Sequence, residues 1–176
     1  MELYNFRSQL STGNKLYRVI WGFAWWVAFR PTPRPMHRWR RGLLRVFGAD
    51  VGRGVRIDNT VRIFYPPHLV LGDSVVIGHH VDLYNVAEIC IGDNSMVSQY
   101  TYLCSASHDY RQATLPLIAK KLRIGSRTWV CAKVFVGPGV IIGDDCVVAA
   151  ASVVVRNIAS GQVVGGHPAR KLKDRF

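Results

Sequence analysis

From Val51 onward an aliphatic residue returns at every sixth position. The series runs Val51, Ile57, Ile63, then Leu71, Ile77, Leu83, then Ile91, Val97, Leu103, and ends in an unbroken Ile124, Val130, Val136, Ile142, Val148, Val154. The next residue is often glycine, as at Gly52, Gly72, Gly78, Gly92, Gly125, Gly137 and Gly143. Four positions after each anchor the residue is usually small or β-branched (Val55, Val61, Ser95, Thr101, Thr128, Cys146, Ser152). Six fits neither the 3.6-residue period of a helix nor the alternation of a simple strand. It is the signature of a parallel β-helix built from hexapeptides, and it makes the chain all-β over most of its length. Each hexapeptide supplies one short strand and a corner, with the aliphatic residue inward and glycine or a small residue easing the turn. Three hexapeptides close a triangular coil, and coils stack at the strand spacing of about 4.8 Å.

The frame slips at three places. Eight residues separate Ile63 from Leu71 and Leu83 from Ile91, and twenty-one separate Leu103 from Ile124. Ile63, Leu83 and Leu103 are themselves twenty residues apart, so the three insertions leave one edge of the prism on consecutive coils. The first holds Tyr65 and His68, the second Tyr84, Asn85 and Glu88, and the third His108, Asp109 and Tyr110. Asn85 and His108 are therefore expected near one another. A long loop on a rigid solenoid is a place for function. The imidazole of His108 suits a general base at neutral pH, its tautomer held by Asp109 or a loop carbonyl.

Residues 1–48 follow a different grammar. Leu16 to Phe29 is apolar and holds three of the five tryptophans, yet its 14 residues make a helix of about 21 Å, too short for a bilayer core of about 30 Å. Pro31, Pro33 and Pro35 stop a helix there, and residues 37–47 are expected to form a short basic one. The chain carries a net charge of +12, of which residues 1–48 contribute +8. This segment is expected to cap the open end of the β-helix, to lie on an anionic membrane surface, or to do both. The basic run has no recognisable nucleic-acid module, so a nucleic-acid partner is not expected.

Cys90, Cys104, Cys131 and Cys146 form no C-x-x-C pair, and no small-residue cleavage site clearly follows the apolar stretch. Reduced thiols in the cytoplasm are the expectation. His79 and His80 fall at a corner, and zinc needs about three converging ligands, so no metal is expected.

The repeats, the segment Ser105-Ala106-Ser107-His108-Asp109-Tyr110 and the tail from Val163 to Arg170 resemble the hexapeptide-repeat O-acetyltransferases. The resemblance covers about residues 30–175 and is nearest the colanic acid biosynthesis acetyltransferase group, with galactoside and maltose acetyltransferases further off. It implies that the β-helix is left-handed. Together with the spacing and composition above, the expected architecture is a left-handed parallel β-helix over residues 49–176 with a protruding loop 104–123, a helical, basic N-terminal segment (1–48) and a short C-terminal tail. It further implies a homotrimer with acetyl-CoA as cosubstrate in a groove between subunits, and a carbohydrate acceptor. The family's loop histidine matches His108 and its substrate-positioning asparagine matches Asn85, with Asp82 in reserve. Tyr84, Asp109 and Tyr110 complete the expected acceptor side. Cofactor contacts fall on Ala132, Ala150, Arg156, Arg170 and Lys173.

The chain departs from the family pattern in places. Ala149-Ala150-Ala151-Ser152 stands where many relatives read G-A-G-S, Cys131 replaces a glycine, and Val155-Arg156 replaces Thr-Lys. The activity implied is direct transfer of an acetyl group to a sugar hydroxyl of an exopolysaccharide or its lipid-linked precursor, in the cytoplasm or on the cytoplasmic face of the inner membrane. The rivals are a small free acceptor (a galactoside or serine) and a non-catalytic hexapeptide scaffold.

Overall fold

In the computed structural model, residues 11–176 are described. The hexapeptides form three sheets that wrap one core. The first face stacks strands Asp50–Val51, Leu69–Leu71, Ile89–Ile91, Leu122–Ile124 and Ile141–Ile142. The second stacks Arg56–Ile57, Val76–Ile77, Met96–Val97, Trp129–Val130, Val147–Val148 and Gln162–Gly166. The third stacks Arg62–Ile63, Asp82–Tyr84, Tyr102–Cys104, Phe135–Val136 and Val153–Val154. These pairings are parallel and keep the anchors in register: Val51 lies beside Leu71, Leu71 beside Ile91, Ile91 beside Ile124, and Ile124 beside Ile142. The result is five full coils and the start of a sixth, closed by an antiparallel strand, Ala169–Asp174, on the last strand of the second face.

All fifteen anchors are at most 5% exposed. The inward polar residues are also buried and spend their hydroxyls on corner carbonyls. Ser95 donates to Gly125 at 2.7 Å, Thr101 to Cys131 at 2.9 Å and Thr128 to Gly143 at 2.8 Å. Cys146 is fully buried in the same column.

The glycines serve a different purpose from the expected one. The left-handed residue of each corner is the third after the anchor, and it is usually not glycine: Ser74, His80, Asn94, Tyr100, Arg127, Lys133, Asp145 and Ala151 all have positive φ. The glycine directly after the anchor is needed for close approach instead. A Cβ at Gly72 would lie 2.8 Å from the Asp93 nitrogen, and one at Gly125 would lie 2.6 Å from the Asp144 nitrogen. The next coil passes too near for a side chain.

The N-terminal segment forms helix α1 (Thr12–Ala24), a π-helical turn (Trp25–Phe29) and helix α2 (His37–Val46). Ser11 caps α1 by accepting from the Asn14 N–H at 3.2 Å. The first ten residues of the expected 1–48 segment lie outside the described residues. Trp21, Phe29 and Leu44 pack into the same core as the first coil.

That coil has no coil beneath it, and side chains of the segment donate to its rim. Trp21 Nε1 donates to the Ile63 carbonyl at 2.7 Å and Trp25 Nε1 to Val61 at 2.8 Å. Arg40 Nε donates to Ile57 at 2.8 Å, Arg41 Nη1 to Val55 at 2.8 Å and Arg45 Nε to Val51 at 2.9 Å. Arg40 is fully buried and also donates to Thr32 Oγ1 and to the carbonyls of Pro33 and Arg34. Part of the N-terminal charge therefore goes to backbone, not to an outside partner.

Two substitutions test this account. Gly125→Ala is expected to lower stability by about 1–3 kcal/mol, read as a drop in Tm, because the coil stack must part to admit the methyl group. Arg40→Met is expected to cost on the order of 3 kcal/mol by stranding buried acceptors. The exposed neighbour Arg38, changed to Met, should leave Tm within about a degree.

Candidate active site

The third–first edge carries the three insertions on consecutive coils, as the spacing required. The long one is a β-hairpin: Ala106–His108 pairs antiparallel with Leu117–Ala119, His108 opposite Leu117. Its base is tied down by Ser105, whose N–H and hydroxyl both reach the Tyr84 carbonyl, at 3.1 and 2.9 Å. Lys120 closes the base by donating its N–H to the Ser105 carbonyl at 2.8 Å.

His108 ends the first hairpin strand and is exposed. Its Nδ1 lies 2.7 Å from the Leu115 carbonyl. A carbonyl only accepts, so Nδ1 carries the proton and Nε2 is the basic nitrogen. Of the two expected orienting groups, the loop carbonyl holds the ring. Asp109 caps the turn instead, accepting from the Arg111 N–H at 3.1 Å and from Gln112 Nε2 at 3.0 Å. Tyr110 stands 81% exposed on that turn.

Asn85 is fully buried. Its Oδ1 accepts from the Phe64 and Tyr65 N–H groups at 3.1 and 3.0 Å, and its Nδ2 donates to the Tyr65 carbonyl at 2.8 Å. It clamps the preceding insertion to its own. His68, in that insertion, donates from Nδ1 to the Val86 carbonyl at 2.7 Å and holds the two loops together further along. Cys104 is also buried, its thiol 3.0 Å from the Ala106 carbonyl.

Asp82 and Tyr84 lie on the third face and line a cavity of about 410 Å³. Its other walls are Arg62, Ile63 and Phe64 from the first coil and Arg18, Trp21, Gly22 and Trp25 from the N-terminal segment. Burial pushes the Asp82 carboxyl above its usual range, opposed by the Arg62 guanidinium. The Arg18 guanidinium sits 3.7 Å from the centroid of the Phe64 ring. The sequence reading did not single out Arg18. The signal available was its place as the only charged residue between Leu16 and Phe29.

The expected cofactor residues divide between two places. Ala132 and Ala150 sit eighteen residues apart at the second–third edge, where the Ala151 N–H donates to the Ala132 carbonyl at 2.9 Å. Ala150 is exposed and Ala132 half-buried. Arg156 and Arg170 share a second cavity of about 190 Å³ with Asn157, Gln162 and Lys171, near the C-terminal end of the helix. Lys173 is on the strand of Arg170 but outside that lining. Within one chain, then, His108 and the Ala132/Ala150 pair occupy different edges of the prism.

No family model matches the chain. It is 40% identical over 163 residues to the colanic acid biosynthesis acetyltransferase WcaF of Escherichia coli, covering 93% of this chain and 90% of that protein. Among solved structures, a hexapeptide-repeat-containing acetyltransferase from Vibrio cholerae, in complex with acetyl coenzyme A, superposes with a TM-score of 0.86 at 26% identity, over 96% of this chain and 92% of that one. A galactoside acetyltransferase in complex with coenzyme A shares the fold, with a TM-score of 0.88 at 20% identity over 99% of this chain and 90% of that one. The hexapeptide anchors, the histidine-bearing insertion and an identity of 40% across nearly the whole of both chains lead to one conclusion: this chain belongs to the WcaF family of hexapeptide-repeat acetyltransferases.

Proposed function

We propose that the protein transfers the acetyl group of acetyl-CoA to a hydroxyl of a sugar in an exopolysaccharide or its lipid-linked precursor, with His108 as the general base. The observation that carries this reading is the 2.7 Å contact from His108 Nδ1 to the Leu115 carbonyl. It leaves Nε2 basic on the one long insertion of an otherwise regular solenoid. Nε2 takes the proton of the acceptor hydroxyl as its oxygen attacks the thioester carbonyl carbon. The tetrahedral intermediate then collapses, the carbon–sulfur bond breaks, and the imidazolium returns the proton to the departing thiolate. Backbone N–H groups at a coil corner suit the oxyanion. The buried state of Cys104 favours direct transfer over an acyl-enzyme on that residue.

On the acceptor side, the cavity holding Asp82 and Tyr84 takes the sugar. Asn85, fully buried, acts on the acceptor side through the backbone, by fixing the peptide groups of Phe64 and Tyr65 beside that cavity. Asp109 and Tyr110 form the hairpin turn above. The cosubstrate runs past Ala132 and Ala150, with Arg156, Arg170 and Lys173 as partners for its phosphates. The separation of His108 from Ala132 and Ala150 on one chain supports a groove shared between subunits, the arrangement of a homotrimer. Among the described residues no helix is long and apolar enough to cross a membrane. For a lipid-linked acceptor the fitting location is peripheral, on the cytoplasmic face of the inner membrane.

The test is acceptor-dependent release of free CoA from acetyl-CoA across a panel of glycans and lipid-linked oligosaccharides. His108→Ala is expected to lower kcat/KM by about 10²–10⁴-fold and to leave Tm unchanged. Equal rates in both proteins would remove His108 as the base, and no release with any acceptor, together with no CoA binding, would favour a scaffold. Asn85→Ala is expected to behave differently. It strands two peptide N–H groups, so Tm should fall along with turnover, by about 1–3 kcal/mol of stability.

A further inference from the structure

Helix α1 carries apolar side chains on two sides, with Asn14, Lys15 and Arg18 on a polar strip between them, and apolar residues on two sides normally mark a helix covered on both. Here only one side is covered. Tyr17, Trp21, Ala24 and Trp25 pack on the first coil. The other side is open: Leu16 is 62% exposed, Val19 69%, Ile20 53% and Phe23 68%. Their spacing of i, i+3, i+4 and i+7 puts them on one stripe. Trp26, 70% exposed, and Val27, 42% exposed, carry the apolar surface into the π-helical turn. Trp39 lies against the end of that turn, half exposed, its indole N–H donated to the Ala28 carbonyl at 2.8 Å.

The surroundings of the stripe decide what covers it. Residues 11–48 hold eight Lys and Arg and no Asp or Glu. Arg40, Arg41 and Arg45 are spent on the rim of the first coil. Lys15, Arg30, Arg34 and Arg38 are exposed, three of them just beyond the stripe's C-terminal end. An isologous contact, this face against the same face of a second copy, would set two acid-free basic segments against each other. A lipid surface with anionic headgroups takes both features at once: side chains such as Phe23 and Trp26 enter the acyl boundary while the arginines meet phosphate.

We infer that the outward face of α1, with Trp26, Trp39 and the basic turn after it, is an interfacial anchor that lays the protein on an anionic lipid surface. The same helix walls the cavity. The turns that carry Val19, Phe23 and Trp26 outward carry Arg18, Gly22 and Trp25 into its lining. An anchored α1 thus holds the cavity mouth at headgroup depth, where the sugar of a lipid-linked acceptor sits. The inference deepens the lipid-linked reading and rests on it for its purpose, but not for its test.

The test is flotation of the full-length protein with vesicles of phosphatidylcholine containing phosphatidylglycerol, beside vesicles of phosphatidylcholine alone. Wild type is expected to float with the anionic vesicles, less so as salt rises, and brominated lipid should quench its tryptophan fluorescence. Trp26→Phe should keep the binding and lose part of the quenching, the remainder coming from Trp39. The double variant Phe23→Ser/Trp26→Ser should bind about tenfold more weakly or worse, and Arg34→Gln/Arg38→Gln should lose the preference for anionic lipid.

CoA release with a water-soluble glycan acceptor should be the same for Phe23→Ser/Trp26→Ser as for wild type, which separates anchoring from catalysis. Vesicle binding by a protein without transferase activity would sink the proposed function and leave the anchor standing. An active protein that ignores anionic vesicles, with no quenching in wild type, overturns the anchor alone. So does a double variant with fewer chains per particle by light scattering, which would make the stripe a contact between copies.

Discussion

A β-helix has two open ends, and at each the outermost coil presents peptide groups with no coil to bond them. At the N-terminal end this protein meets that cost with side chains. The carbonyls of Val51, Val55, Ile57, Val61 and Ile63 are taken by three arginines and two indoles from the helical segment. The choice of residue follows from geometry. A helix has no spare backbone donors along its flank, so the donors must come from long side chains with fixed N–H directions. The apolar bodies of Trp21, Phe29 and Leu44 then cover the hydrophobic floor of the coil. The placement of α1, and with it the wall of the larger cavity, depends on these bonds.

Above the rim, the coil repeats itself by close approach. A glycine after each first-face anchor lets the next coil pass within contact distance, and the carboxylates of Asp73, Asp93 and Asp144 bond peptide N–H groups of the coil before. This rigidity is what makes the insertions useful. Each leaves a fixed point on one edge, and Asn85, Ser105 and His68 lock each to the next before the hairpin begins. His108 is thus positioned by a chain of peptide-level bonds running back to the prism.

Much of this was legible in the sequence. The anchors, their register and the shared edge of the three insertions follow from counting, because inward side chains must repeat wherever strands stack. The pairing of Ala132 with Ala150 follows from the same count. Other features leave no such trace. Backbone acceptors write no pattern, so Arg40 and Arg45 read as charge when they are bonded to carbonyls. Asn85 read as a residue for the acceptor, while its three side-chain hydrogen bonds all go to the insertion beside it. Glycine read as turn chemistry, but it is steric clearance between coils, with the left-handed corner assigned two residues later. The hairpin within 104–123 was visible only as length, since three-residue strands are too short to show alternation.

The capped rim also bears on how large an assembly the chain can form. An uncapped coil is a sheet edge, and a second molecule's last coil has the shape to continue it. Stacked head to tail, such prisms would grow without limit into a fibre whose cross-section is one triangle. Arg40, Arg41, Arg45, Trp21 and Trp25 occupy the sites where the first bonds of that fibre would form. At the other end, the antiparallel strand Ala169–Asp174 breaks the parallel order that elongation needs. The N-terminal segment therefore acts as a chain stopper across the whole first rim, and the C-terminal strand blocks elongation on the second face.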